Sequence, residues 1–323
     1  MELERTVPMH RIIFDTDLGI DDALALLYLL RSGEAQIEAI TTVHGNVPVD
    51  VATANAFEIL SVAGIDEPPE IAGGSATPLA GSCQNSGTQV HGKDGLGGWT
   101  TRGRVSLGRL SDWPASELIP RLARRNPREV TLLLLGPATN AALALRRDPV
   151  GFRVLRNIVM MGGAVSEPGN ITATAEFNVY ADPEAAREVI DCGVPVTMVG
   201  LDVTERASIT RKFLDHRLRA RDDPWARLVR CLVEQGFSFY QNSRGWDGMF
   251  LHDPLAAAVA LDKSLVQVRP MRVDIEVNGE LTRGMVVAER RPGVKGGENT
   301  EVCVDVDVAR FLELFTERVL FAD

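Results

Sequence analysis

Four aspartates, Asp15, Asp17, Asp21 and Asp22, fall within eight residues of the run IIFDTDLGIDDALALLYLL, Ile12 to Leu30. At separations of ~4 Å and an effective dielectric near ~20, each pair of carboxylates repels by on the order of several kcal/mol, so the cluster needs a cation, a shared proton or wide exposure. A hard cation with oxygen ligands is the natural partner. Three later stretches carry further polar side chains suited to chemistry: VHGKDGLGGW with His91, MMGGAVSEPGNITATAEFNVYADP with Asn170, Glu176 and Asn178, and GWDGMFLHDPLAAAVAL with His252 and Asp253.

Local elements must hold these groups. Ile12 to Phe14 reads as a strand and Ala23 to Leu30 as a helix, which places the aspartates in a strand-to-helix turn at the carboxyl edge of a sheet, where α/β folds bind ligands. Gly19 lets the chain turn tightly there. A single helix cap needs one Asp, not four. If AEFNV is extended, Glu176 and Asn178 point to one side and offer two hydroxyl-binding groups; turn chemistry would also explain the asparagines. Asp253 before Pro254 suits a helix cap, and His91 and His252 are either contacts or ordinary polar residues. The aromatics Phe237, Phe239, Tyr240, Trp246 and Phe250 suit a helix core or a base-stacking lid.

Along the chain strand and helix alternate. Ile37–Val43, Val130–Leu135, Val154–Met161 and Pro195–Val199 read as strands; 49–63, 138–147 and 183–192 read as helices, the last capped by Asp182. Val268–Val277, Met285–Ala288 and Val302–Val306 form a strand-rich tail before a helix bearing Val308, Phe311, Leu312, Phe315 and Val319 on one face. The expected fold is α/β: one domain over residues 1–323, a mostly parallel (mixed) central sheet with helices on both faces, Rossmann-like, with residues 1–10 as a flexible extension.

Composition narrows the class. The net charge of −10 and the lack of a basic stripe argue against a nucleic-acid partner. No segment reaches the ~18 apolar residues of a membrane span, and MELERTVPMH lacks the apolar stretch of a signal peptide, so the expectation is a soluble, cytoplasmic protein without a membrane partner. Cys83, Cys192, Cys231 and Cys303 are scattered without CxxC spacing, as reduced thiols would be.

DTDLGIDDALAL, the VHGN ending at Asn46, LGPATN from Leu135, MGG from Met161, GN at Asn170, AEFNVYADPEAA and HDP at His252 follow one another as in nucleoside hydrolases. The chain resembles the inosine-uridine preferring ribonucleoside N-ribohydrolases from residue 11 to about 262. The resemblance implies Ca²⁺ held by Asp17, Asp22, the carbonyl of Leu135 and Asp253. It implies ribose contacts from Asp21, Asn46, Asn170, Glu176 and Asn178, Met161 packing on the sugar, and a dimer or tetramer. It also implies that Asp17 activates a calcium-held water and that His252, unperturbed near ~6.5, protonates the departing base, while Asp15 fixes the loop. The family usually has Pro at the position of Leu18, and its loss should loosen the loop.

Two rivals use the same aspartates. A haloacid-dehalogenase-like phosphatase would want Thr or Val where Gly19 stands and a downstream Lys, whereas lysines are scarce here. A non-catalytic calcium-stabilised sugar- or nucleoside-binding protein would explain the carboxylates without turnover. An EF-hand starting at Asp15 would place its turn Gly on Ile20 and its terminal Glu on Leu26, which excludes it.

Overall fold

The computed structural model describes residues 9–65, 67–81, 87–99, 109–218, 221–294 and 296–321. Twelve strands are found among them: β1 His10–Thr16, β2 Ala35–Thr42, β3 Glu70–Gly73, β4 Val130–Leu134, β5 Asn157–Met161, β6 Val196–Val199, β7 Ser208–Thr210, β8 Gly248–Phe250, β9 Val266–Met271, β10 Val273–Ile275, β11 Val286–Ala288 and β12 Thr300–Val306. Eight of them form one sheet in the order β3-β2-β1-β4-β5-β6-β12-β9, parallel except where β9 runs against β12. The chain works outward from β1 to β3 and then returns to lay β4 beside β1. That reversal makes the carboxyl ends of β1 and β4 the topological switch point, where a crevice opens and ligands bind.

Alternation along the central strands builds two cores, one on each face. Ile12, Phe14, Leu133 and Val159 belong to one, Ile13, Leu132, Leu134 and Ile158 to the other. Helix Ile20–Leu30 is buried around nearly its whole circumference, packed against helices Pro224–Arg244 and His252–Leu261. That burial fixes the angle at which its first turn presents Asp21 and Asp22.

Several boundaries depart from the sequence expectations. The first helix starts at Ile20, not Ala23. Val154–Arg156 stays outside β5, and helix Pro183–Ile190 stops before Cys192, with Asp182 accepting from Ala185 N as expected. The expected strand Val268–Val277 divides into β9, which joins the large sheet, and β10, which pairs with β11 in a separate hairpin. Strand β3 and helix Ala115–Arg125 were not anticipated. Residues 1–8 and Cys83 lie outside the described residues, while His10 already begins β1. Cys192, Cys231 and Cys303 are free thiols. Among the described residues no helix is long and apolar enough to cross a membrane.

Candidate active site

The loop after β1 is shaped by two residues. Leu18 takes a left-handed backbone, φ 36°, with its side chain fully buried. Such a conformation costs an L-residue roughly 1–2 kcal/mol and is closed to Pro, whose φ is fixed near −65°. The Leu18 conformation is thus one that the Pro of DTDPG could not adopt, and its buried side chain anchors the turn. Gly19 is needed for close approach: a Cβ there would stand 2.3 Å from His91 Nδ1 and 2.7 Å from Asn46 Nδ2. It donates its N–H to Asp22 Oδ2 at 2.8 Å, and Thr16 Oγ1 donates to Asp22 Oδ1 at 2.5 Å. Asp21 and Asp22 thus occupy the first helical turn, where the helix dipole favours negative charge.

Asp17 is gripped from the VHGN loop. Asn46 N donates to its Oδ2 at 2.7 Å, and Asn46 Nδ2 donates to its Oδ1 at 3.0 Å and to Asp22 Oδ2 at 3.1 Å. Asn46, expected on the ribose, is thus also the brace between two carboxylates. Asp15 points to the other side of the strand, where its Oδ2 accepts from Thr41 Oγ1 at 2.5 Å and Asn140 Nδ2 at 2.8 Å. Beside it a buried relay ties the loop to the scaffold: His44 Nε2 meets Thr139 Oγ1 at 2.9 Å, and Thr139 Oγ1 donates to Asp182 Oδ2 at 2.6 Å. Thr139 gives its proton to Asp182, so His44 must be the donor to Thr139.

At the end of β4 the carbonyl of Leu135 accepts from Asn178 Nδ2 at 2.6 Å, and the same nitrogen reaches the Met161 carbonyl at 3.2 Å. The segment around Asn178 is a short helix, Phe177–Ala181, not the expected extended strand. Glu176 caps it, accepting from Asn178 N and Val179 N and also from Gly163 N. These bonds leave Glu176 Oε1 with acceptor capacity toward the cavity. Asn170 is exposed at the rim, its Oδ1 accepting from Phe177 N.

Asp253 is likewise not the cap expected. Helix His252–Leu261 starts one residue earlier, no side chain caps it, and Asp253 sits buried in its first turn. Asp21, Asp22 and Asp253 bring carboxylate oxygens within 4.8 Å of one another. Asp17, expected as a ligand, lies outside that trio, its carboxyl meeting Asp22 and both being bridged by Asn46. Burial is the first cause that raises all of these acids. It takes Asp21 to about 8, assisted by the Asp22 charge, and Asp15 to about 7; Asp17 and Asp253 rise well above the carboxylate range, and Asp22 rises too.

No Lys or Arg pairs with any of these five acids among the described residues, and Asp15 Oδ1 and Asp21 Oδ1 have no hydrogen-bond partner. His91 Nδ1 lies 3.7 Å from Asp21 Oδ1, but this is not an ion pair. That nitrogen already accepts from Ile20 N at 3.0 Å, and burial lowers the His91 pKa to about 3, so the ring is neutral. An oxygen-only cluster with an orphaned carboxylate oxygen fits a hard divalent cation.

Above these groups opens a cavity of ≈ 430 Å³. Asp21, Asn46, His91, Leu135, Met161, Asn170, Glu176, Asn178, His252 and Asp253 all line it, while Asp17 and Asp22 are buried beneath. Part of its wall is aromatic, with Phe239, Tyr240 and Phe250, and Arg244 lies beside Tyr240 and Phe250. Phe237 is pure core and Trp246 packs against Tyr240 and Phe250, so the aromatic segment is divided between core and cavity wall. His252 Nδ1 meets Thr204 Oγ1 at 2.8 Å and its Nε2 lies 3.5 Å from the Tyr240 hydroxyl. Burial, and then Arg244, lower the His252 pKa to about 4, not the unperturbed value assumed from sequence. Arg244 and Thr204 carried no local sequence signal, being brought near His252 and Tyr240 only by tertiary packing.

The inosine-uridine preferring nucleoside hydrolase family model matches residues 12–313. The chain is 36% identical to the pyrimidine-specific ribonucleoside hydrolase RihA of Citrobacter koseri, over 96% of this chain and 98% of that one. It is 34% identical to the non-specific ribonucleoside hydrolase RihC of Escherichia coli, over 96% and 98%. Among solved structures a plant nucleoside hydrolase superposes with a TM-score of 0.90 at 32% identity, covering 97% of this chain and 99% of the other. A purine-preferring ribonucleoside hydrolase from Gardnerella vaginalis gives 0.89 at 31%, covering 97% and 98%. Neither the phosphatase nor the non-catalytic binder survives these likenesses. With its acids at the β1/β4 crevice and its length matched end to end, the chain belongs to the inosine-uridine preferring nucleoside hydrolase family and is a ribonucleoside hydrolase.

Proposed function

We propose that the enzyme hydrolyses the N-glycosidic bond of ribonucleosides with calcium as its metal and Asp17 as its base. The observation that carries this reading is the trio Asp21, Asp22 and Asp253, gathered without a countercharge among the described residues, with Asp21 and Asp253 lining the same cavity as Leu135. Asp17, Asp22, Asp253 and that carbonyl are the donors assigned to Ca²⁺, which takes six to eight oxygens and leaves room for a ribose diol and water. Bound there, the ion supplies a Lewis acid that orients the sugar and the nucleophilic water.

The side chains then divide the work. Asp17, its Oδ1 and Oδ2 aimed by Asn46, accepts the proton of the attacking water. Asp21 and Asn178 Oδ1 accept from ribose hydroxyls, as does Glu176 Oε1; Asn170 Nδ2 donates at the rim and Met161 packs on the sugar. These carboxylates favour the positive charge that develops on the ribosyl ring as the bond to the base lengthens. His91 keeps its proton on Nε2 because Nδ1 is occupied by Ile20 N. His252 is neutral at pH 7. With the Thr204 hydroxyl donating to Nδ1, its Nε2–H is left to hydrogen-bond the departing base.

The direct test is release of reducing sugar from inosine, uridine, cytidine and adenosine. Ribose from at least one of them, lost in EGTA and restored by calcium, is expected; no release from any would overturn the reading.

Two variants refine it. His252→Ala should lower kcat on ordinary nucleosides by about 10²-fold, yet change turnover of a nitrophenyl riboside by only a few-fold, because that leaving group needs no help. Equal losses on both substrates would remove His252 from its role. Gly45→Ala would put a Cβ 1.9 Å from Asp17 Oδ2, forcing the base out of register. A misplacement of ~1 Å costs on the order of 10²-fold in rate, which steady-state kcat should report while nucleoside KM changes little.

A further inference from the structure

We infer that Arg244 is a catalytic residue toward the leaving group, its guanidinium donating to a carbonyl oxygen of the nucleobase as the glycosidic bond breaks. The inference rests on the nucleoside reading above and goes beyond it by assigning the aromatic part of the cavity. That cavity is lined by acids, Asp21 and Asp253 among them, and by an aromatic group of Phe239, Tyr240 and Phe250, with Tyr240 and Phe250 packed together. A nucleoside has the same two halves, so the hydroxylated sugar meets the acids and the flat base meets the aromatic group.

Hydrogen-bonding groups beside those rings are few. Ser243 Oγ is spent on the Phe239 carbonyl at 2.8 Å, and the Tyr240 hydroxyl faces His252. Arg244 is the cation lining the cavity among the described residues. Its guanidinium carbon lies 5.6 Å from the Tyr240 ring centroid and 5.4 Å from that of Phe250, and Nη2 reaches Glu205 Oε1 at 3.1 Å. Two rings and one carboxylate thus hold the fork beside the cavity, with other N–H groups left for a ligand.

Guanidinium only donates. A uracil or hypoxanthine carbonyl therefore pairs with it, and the bond strengthens as electrons of the breaking C–N bond move into the base. The amino group that cytosine or adenine carries at the corresponding position is itself a donor and gains nothing. Arg244 should matter most for oxo-bases.

The test is kcat/KM of wild type, Arg244→Met and Arg244→Lys on uridine, cytidine, inosine, adenosine and a nitrophenyl riboside. In the Met variant the loss on uridine and inosine should exceed the loss on cytidine and adenosine by about tenfold. Lys should recover part of it, and the nitrophenyl riboside should stay within a few-fold of wild type. A uniform loss on all substrates, or none, would reduce Arg244 to a surface partner of Glu205 and overturn the inference. Ribose release from no ribonucleoside at all in wild type would instead overturn the nucleoside reading, and this inference with it.

Discussion

Asp17→Asn is expected to lower kcat/KM on any accepted ribonucleoside by about 10³ to 10⁴-fold, the span that removal of a well-placed general base produces. The substitution is nearly isosteric and keeps the Gly45 approach filled, though its amide can accept only one of the two hydrogen bonds that Asn46 donates. Stability should move the opposite way. Asp17 is held far above its ordinary pKa by burial and by the Asp22 charge, so neutralising it relieves the metal-free fold. Thermal unfolding in EGTA should show the variant at least as stable as wild type while its activity is nearly gone. A variant that loses both together would mean that Asp17 is structural; one that retains activity would remove it from the chemistry.

The second large effect is on stability against pH. For an acid whose folded pKa is raised, the folded state binds more protons than the unfolded chain between the two pKa values. The stability it contributes is therefore fully present below the unfolded value of 3.8 and is lost as pH rises through the folded value. Asp21 at about 8 and Asp15 at about 7 place that loss between pH 4 and 8. Asp21 alone corresponds to on the order of 5 kcal/mol by pH 8, which for a chain of this size is a fall of roughly 10 °C in Tm. Metal-free protein should thus melt progressively lower from pH 5 to 8. Saturating calcium should flatten most of that slope, leaving the share of Asp15, whose free oxygen is sealed away on the other side of the strand. A metal-free Tm that is flat or rises over this range would show that the acids are not mutually strained.

Much of the site was legible because its chemistry is written in short runs. A strand followed by four aspartates and an apolar helix can be read locally, and the alternation of strands with helices placed that turn at a sheet edge. The switch point between β1 and β4 then gathered Leu135 and Met161 from neighbouring strand ends and Asn178 from the short helix Phe177–Ala181. What could not be read depended on backbone conformation or on packing at a distance. Leu18 at positive φ looks like any Leu in a sequence. AEFNV alternates as a strand would, yet Glu176 turns it into a capped helix by gathering three backbone N–H groups, one of them from Gly163. Asp253 beside Pro254 mimics a cap, but its carboxyl is drawn to Asp22 instead. Arg244 ends a long amphipathic helix, where a basic residue usually means a surface position favoured by the helix dipole.

The same logic explains why the His252 chemistry was misjudged from its neighbours in sequence. An exposed imidazole titrates near ~6.5, but this one is enclosed by Thr204, Tyr240 and Phe250 and faces the Arg244 charge. In the proposed mechanism it acts at neutral pH as a fixed N–H donor, and the pH dependence of turnover should be dominated by the aspartates.

Calorimetric titration of EGTA-stripped protein with calcium, followed by ribose release on the same samples, tests the metal assignment most directly. One ion per chain is expected, with activity rising in step with occupancy and both lost in Asp253→Ala. Full activity in the stripped protein, or calcium binding that leaves the rate unchanged, would contradict it.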